Sequence, residues 1–322
     1  MVQRAARFCA SAKVNMKDQH VTSLSGIFAP TITGYHSDGS ISLDGTRKFV
    51  RFLLDSGADG LTPLGSAGEP IALTIDERKS LLEAIVAENA GQVPIYAGTG
   101  DYGTERTIEL SLHARSIGCD GLMLITPFFL RPPKQDVLNH LRRVRERVGL
   151  PIMVYNVPLL TGTEITPQEI KMLCDEDVVH AVKWSHLEVT RIHDTRLLCG
   201  PTFPVFAGID VIAFEAMAVG ADGWISGLPM MVPALARRLH RLLTVEHDLE
   251  SARELWYRLL PLINLEYRAL VTADGNPHWL AVCRESAVLR GIPVGVSRGP
   301  LAPVDPAVRQ ELKSLLESLE QL

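Results

Sequence analysis

Eight short apolar runs alternating with eight longer amphipathic stretches predict an α/β protein, a (β/α)8 TIM barrel with a C-terminal helical appendix. The units are of similar size, so successive strands lie parallel with right-handed crossovers, and eight of them close a barrel. A doubly wound open sheet is the competing arrangement, but no G-x-G-x-x-G follows the first run.

Taken in order, the strands are expected at 25–29, 59–63, 93–97, 120–125, 151–155, 178–183, 203–207 and 222–226. Helical periodicity fills the gaps at 43–57, 74–90, 104–118, 134–148, 166–175, 187–198, 209–219 and 231–245. Thr74 with Glu77 three residues on forms a capping box, and Thr166 is followed by Pro167 at the first helical position. Gly57, Gly91, Gly118, Gly149 and Gly220 stand at helix ends. The sixth run, Val178-Val179-His180-Ala181-Val182-Lys183-Trp184, reads as a parallel strand covered on both faces and ending in a lysine.

After residue 246 the strands stop, and three helices are expected at 255–271, 279–289 and 306–319. Asp274-Gly275-Asn276-Pro277 and the Pro-rich stretch 293–303 separate them. The expected organisation is an extension or disordered segment over 1–22, the barrel over 23–246, and helices packed on it over 247–322. Residues 1–22 carry Arg4, Arg7 and Lys13 with no acid before Asp18, a weak likeness to a targeting leader. Met16 favours an upstream extension outside the fold.

The net charge of −5 and the lack of a basic run argue against a nucleic-acid partner. No apolar run approaches the length of a membrane span, so no membrane partner is expected. Cys9, Cys119, Cys174, Cys199 and Cys283 have neither zinc-site nor disulfide-framework spacing, so they read as reduced thiols of a cytoplasmic protein with no metal.

Chemistry in this fold sits where strands end and βα loops begin. After the second strand stands Gly65-Ser66-Ala67-Gly68-Glu69, whose small residues let backbone amides approach an anion. Thr126-Pro127-Phe128-Phe129 follows the fourth strand and Tyr155-Asn156-Val157-Pro158 the fifth. The sixth ends in Lys183, the seventh in Gly208 with Asp210 nearby, and the eighth in Ser226-Gly227. Each has a plainer reading: Lys183 snorkels to solvent, the Gly-rich segment is only a turn, and Tyr155 is a core phenol bonded to a carbonyl. Together they describe an imine-forming site for a 2-oxo acid, with an amine to attack the keto carbon, amides to hold the carboxylate and a phenol to move protons. A buried ammonium loses its charge readily, which suits the amine to that task.

These segments, with Thr161-Gly162 and Gly223-Trp224-Ile225-Ser226-Gly227, resemble the dihydrodipicolinate synthase and N-acetylneuraminate lyase superfamily of class I pyruvate-dependent aldolases from about Leu24 onward. The resemblance implies that Lys183 forms the Schiff base, Tyr155 shuttles protons, and the turn of Gly65, Ser66, Ala67 and Gly68 binds the carboxylate. It also implies that Ile225 offers its carbonyl near the imine, that no cofactor is needed, and that the protein is a homotetramer, a dimer of dimers.

Three positions depart from the family pattern. Ala67 replaces a hydroxyl residue, Phe129 replaces the synthase tyrosine lent to the neighbouring subunit, and Leu160 replaces the arginine that grips the aldehyde carboxylate. Leu159, Leu160, Trp184 and His186 are expected as pocket walls, suited to an uncharged group. The expected function is therefore an aldolase or dehydratase acting on pyruvate or a related 2-oxo acid. The alternatives are 4-hydroxy-tetrahydrodipicolinate synthase and a non-catalytic barrel that binds a small carboxylate.

Overall fold

The structure, a computed structural model, describes residues 24–270 and 276–321. The expected extension over 1–22, the end of the expected helix at 271 and the Asp274-Gly275 turn lie outside those residues.

The described residues form eight parallel strands: β1 (Gly26–Pro30), β2 (Gly60–Thr62), β3 (Tyr96–Ala97), β4 (Gly121–Ile125), β5 (Ile152–Asn156), β6 (Ala181–Trp184), β7 (Val205–Ala207) and β8 (Gly223–Trp224). Their order is β2-β1-β8-β7-β6-β5-β4-β3, and a parallel bridge from Leu61 to Ile95 joins the two ends, closing the barrel. Around them run α1 (Leu43–Asp55), α2 (Ile75–Asn89), α3 (Thr104–Ser116), α4 (Lys134–Val148), the short α5 (Pro158–Thr161), α6 (Pro167–Asp175), α7 (Thr190–Cys199) and α8 (Ala213–Ala218). After β8 come α9 (Leu228–Met231), α10 (Pro233–Arg241), α11 (Leu249–Glu266), α12 (Trp279–Leu289) and α13 (Pro306–Leu319).

Strand alternation sorts the core into two. Phe28, Tyr96, Met123, Met153, Tyr155, Ala181, Phe206 and Ile225 fill the barrel interior, while Ile27, Leu122, Val154, Val182, Trp184 and Trp224 pack outward against the helices. The capping box expected at Thr74 with Glu77 forms, and the helix start at Thr166 carries a second one, with Glu169. Each satisfies two otherwise orphaned helix-start amides.

Several boundaries differ from expectation. β3, β5 and β7 begin after Pro94, Pro151 and Pro204, which have no N–H to give to a ladder. The single helix expected over 231–245 is divided into α9 and α10 around Pro233, with a π turn over Leu242–Glu246. α11 starts earlier than expected because Asp248 caps it, accepting from the Ser251 amide at 3.0 Å, and it runs through Pro261. α11, α12 and α13 pack on one another, and α12 reaches the barrel through α9. No helix among the described residues is long and apolar enough to cross a membrane.

Candidate active site

Lys183 and Tyr155 are register partners on neighbouring strands, and both share the parity of inward-facing residues. The Lys183 Nζ lies 3.9 Å from the centroid of the Tyr155 ring. Lys183 is only 6% exposed, and burial pulls its pKa below the ordinary 10.5, opposed by Tyr155 and by the charge of Asp210. The neutral amine is thus more populated here than on a surface lysine. Gly208, at the end of β7, makes room for it: a Cβ there would lie 3.0 Å from Lys183 Cγ and 2.2 Å from Ser185 Oγ.

The Gly-rich segment lies beside the phenol. Ser66 Oγ is 3.2 Å from Tyr155 Oη, within hydrogen-bonding reach. Residues Ser66–Gly68 form a 3-10 turn whose amides at Gly68 and Glu69 bond internally, to the carbonyls of Gly65 and Ser66. The amides of Ser66 and Ala67, at the start of the turn, have no acceptor within it. Ala67 is buried and presents a methyl group where a hydroxyl is expected. Thr62, at the end of β2, has a buried hydroxyl without a hydrogen-bond partner among the described residues.

Below the ends of β7 and β8 lies a carboxyl pair that the sequence did not bring together. Asp210 is fully buried and accepts from Ser226 Oγ at 2.6 Å, the Gly227 amide at 3.0 Å, the Leu228 amide at 3.2 Å and Tyr267 Oη at 3.3 Å. Glu266 presses against the same turn, so closely that a Cβ at Gly227 would sit 1.8 Å from its Oε1. Burial, then the charge of Asp210, pushes Glu266 well above the carboxylate range. Burial raises Asp210 as well, but Asp210 accepts from four donors whereas Glu266, among the described residues, accepts only from the Cys283 thiol, at 3.8 Å, so a proton on the pair is favoured on Glu266. Tyr267 and Glu266 come from the C-terminal region. Their one sequence signal is a carboxylate after Leu262-Ile263-Asn264-Leu265, a segment apolar but for Asn264.

Ile225 follows β8 and lies in the inner cluster with Tyr155 and Phe206. Asn156 pins the loop after β5, donating to the Ile165 carbonyl at 2.6 Å and accepting from the Ile165 amide at 3.3 Å. Leu159 and Leu160 stand exposed on α5. Trp184 corrects the expectation of a pocket wall. It follows Lys183 on the strand, so it points the opposite way, and its Nε1 donates to Thr195 on α7 at 3.0 Å. His186 lies on the loop beyond, accepting from the Glu188 amide at 3.1 Å. Phe129 is 85% exposed with a left-handed backbone. Arg131, also after β4, lies against Gly162, where a Cβ would be 2.6 Å from its Nε. Among the described residues it has no carboxylate partner.

Comparison with known proteins places this geometry in a family. The profile of the dihydrodipicolinate synthetase family matches residues 23–319. The chain is 32% identical over 283 residues to the 4-hydroxy-tetrahydrodipicolinate synthase of Pelobacter propionicus, covering 87% of this chain and 94% of that one. Other relatives, down to 28% identity, carry the same name. Among solved structures it resembles YagE, a prophage protein of the dihydrodipicolinic acid synthase family from E. coli K12 in complex with pyruvate, with a TM-score of 0.82 and 30% identity over 92% of this chain and 99% of that one. A protein described as the first monomeric dihydrodipicolinate synthase variant matches with a TM-score of 0.83 and 27% identity, over 94% of this chain and 98% of that one. The chain therefore belongs to the dihydrodipicolinate synthetase family, within the superfamily of class I pyruvate-dependent aldolases, and is a Schiff-base-forming lyase of that class.

Proposed function

We propose that Lys183 forms an imine with pyruvate or a related 2-oxo acid, that Tyr155 moves the protons, and that the Ser66-Ala67 turn holds the carboxylate. The observation that carries this reading is the buried Lys183 amine 3.9 Å over the Tyr155 ring, with the phenol in reach of Ser66. The neutral amine adds to the keto carbon, the carbonyl oxygen gains two protons and leaves as water, and the carbon–nitrogen double bond forms. The resulting iminium draws electrons from the adjacent carbon, which loses a proton to give an enamine. That carbon then adds to an aldehyde, or in the reverse direction releases one.

For the aldehyde, the relatives' names favour the alternative, 4-hydroxy-tetrahydrodipicolinate synthase, and so support aspartate semialdehyde. The side chains at that end support a neutral partner as the second reading. Leu159 and Leu160 are apolar and exposed; among the described residues Arg131 lies against Gly162 in the same connection, while Arg191 is already paired with Glu164. Arginine grips a carboxylate through two parallel hydrogen bonds, which leucine cannot imitate. Losing such a contact in a partly desolvated site costs about 2–5 kcal/mol, or roughly 30- to 5,000-fold in specificity. In a coupled assay the wild type is expected to condense pyruvate with aspartate semialdehyde in preference to a panel of neutral aldehydes; the reverse preference, with Leu160→Arg raising kcat/KM for the semialdehyde within that range, would carry the second reading. A wild type equal to an authentic synthase would assign the grip to Arg131 and remove the neutral-partner reading.

Exposed apolar residues after β4 support a homotetramer, a dimer of dimers, with Phe128 and Phe129 at the closer interface. Phe129 and Leu130 would otherwise leave apolar surface at the barrel mouth, and aromatic anchors are enriched in interface cores. Light scattering at micromolar concentration is expected to give the tetramer mass. A monomer, as in the variant relative, would refute it.

A further inference from the structure

Glu69 closes the Gly-rich segment, yet neither the imine chemistry nor the carboxylate contact uses its side chain. Its backbone is left-handed, with φ 53° and ψ 43°, a conformation that costs a residue with a Cβ free energy its surroundings must offset. What holds it comes from the far end of the chain. Glu69 is 7% exposed, and its Oε1 accepts from the Arg284 guanidinium on α12 and from Ser297 Oγ at 3.2 Å. Arg284 is 4% exposed, and its other terminal nitrogen donates to the carbonyls of Thr33 and Val294, both at 2.9 Å. Thr33 in turn donates its hydroxyl to the Gly68 carbonyl at 2.6 Å. The contacts form a ring: Gly68 and Glu69 in the turn, Arg284 in the C-terminal helix, Thr33 in the loop after β1, and back to Gly68.

A second layer braces that ring. The Tyr35 ring has Arg284 and Arg298 over it, at 5.3 Å and 5.2 Å from its centroid. Arg298 pairs with Glu77 at 2.7 Å, the residue that completes the capping box of α2, and donates to the Ala72 carbonyl at 2.8 Å. The Gly-rich turn is thus clamped at its exit by residues of the C-terminal region. Its amides at Ser66 and Ala67 inherit their direction from a buried ion pair between residues 215 apart in sequence.

We propose that Glu69 is a positioning residue for the carboxylate cradle: held by Arg284, it fixes the Ser66 and Ala67 amides toward the carboxylate of the 2-oxo acid, so that the C-terminal helices set the affinity for that group. This rests on the reading that the turn binds the carboxylate. Cradle geometry matters only to a substrate bearing the anion, which supplies the test. Borohydride trapping is measured against concentration for pyruvate and for methyl pyruvate, an ester that keeps the keto group and lacks the charge. In Glu69→Gln the half-saturating pyruvate concentration is expected to rise about 10- to 100-fold, the scale of a lost charged hydrogen bond, with trapping at saturation within about threefold of wild type. The methyl pyruvate curve is expected to stay in place. Thr33→Val, which keeps volume and removes only the bond to the Gly68 carbonyl, is expected to raise the pyruvate value about fivefold with the same selectivity, and it decides the matter should Glu69→Gln fail to fold. An unchanged pyruvate curve, or equal weakening for both ketones, would overturn the inference. No saturable trapping by the wild type would instead remove the imine reading on which it rests.

Discussion

Pyruvate and borohydride together are expected to leave one reduced adduct on the protein, at Lys183. Reduction converts a reversible imine into a stable amine, so intact mass reports the stoichiometry and peptide mapping the position. Burial lowers the pKa of this amine below the ordinary 10.5, so trapping should accelerate as pH rises through that depressed value, at lower pH than for surface lysines. Lys183→Met keeps an apolar stem without the ammonium and is expected to abolish both the adduct and turnover, because the covalent route carries an acceleration of ~10⁶-fold or more. Stability separates this from unfolding. A lysine whose folded pKa is depressed binds fewer protons folded than unfolded between the two values, so its contribution is lost as pH falls through that interval. Replacing it should therefore leave the melting temperature at pH 7 unchanged or higher. An adduct on another lysine, or an undiminished adduct in Lys183→Met, would be fatal to the assignment.

Much of this molecule was legible because apolar runs report burial. They do not report hydrogen bonding, which is why the sixth strand was expected from Val178 but begins at Ala181: Val178 and Val179 are buried in the connection before the ladder starts. Lys183 and Tyr155 stood out because a polar side chain at the end of a run covered on both faces needs a reason to be there, and the structure brings them within 3.9 Å. Trp184 adjoins Lys183 in sequence but not in the site, because strand alternation sends it to the helix layer. The partners of Glu69 have no local signature, and Glu266 has only the carboxylate that follows Leu265. Each is defined by contacts from the C-terminal helices or the loops beside them, Arg284 and Ser297 for Glu69 and Cys283 for Glu266, and no periodicity encodes which distant side chain meets which turn.

Tyr155→Phe separates catalysis from packing at the second central residue. The substitution keeps the ring beneath the Lys183 nitrogen and removes only the hydroxyl, which lies 3.2 Å from Ser66 Oγ. If the phenol is a core group, its loss forfeits a hydrogen bond of about 1 kcal/mol, lowers the melting temperature by about 2–4 °C at most, and leaves turnover nearly intact. If it moves protons, it acts at each step in which the keto oxygen leaves as water or the enamine gains and loses a proton, and turnover should fall by about 10²–10⁴-fold with little change in stability. Ser66→Ala provides a graded comparison, because it keeps the proton and removes the group that orients it; its turnover should lie between wild type and Tyr155→Phe. The two variants should also differ in trapping. Imine formation in Tyr155→Phe is expected to become slow enough to follow by rapid quench, whereas in Ser66→Ala it should slow less, with the half-saturating pyruvate concentration rising instead if the hydroxyl also touches the carboxylate. A Tyr155→Phe variant that retains wild-type turnover while melting several degrees lower would return the phenol to the core and leave proton movement to solvent.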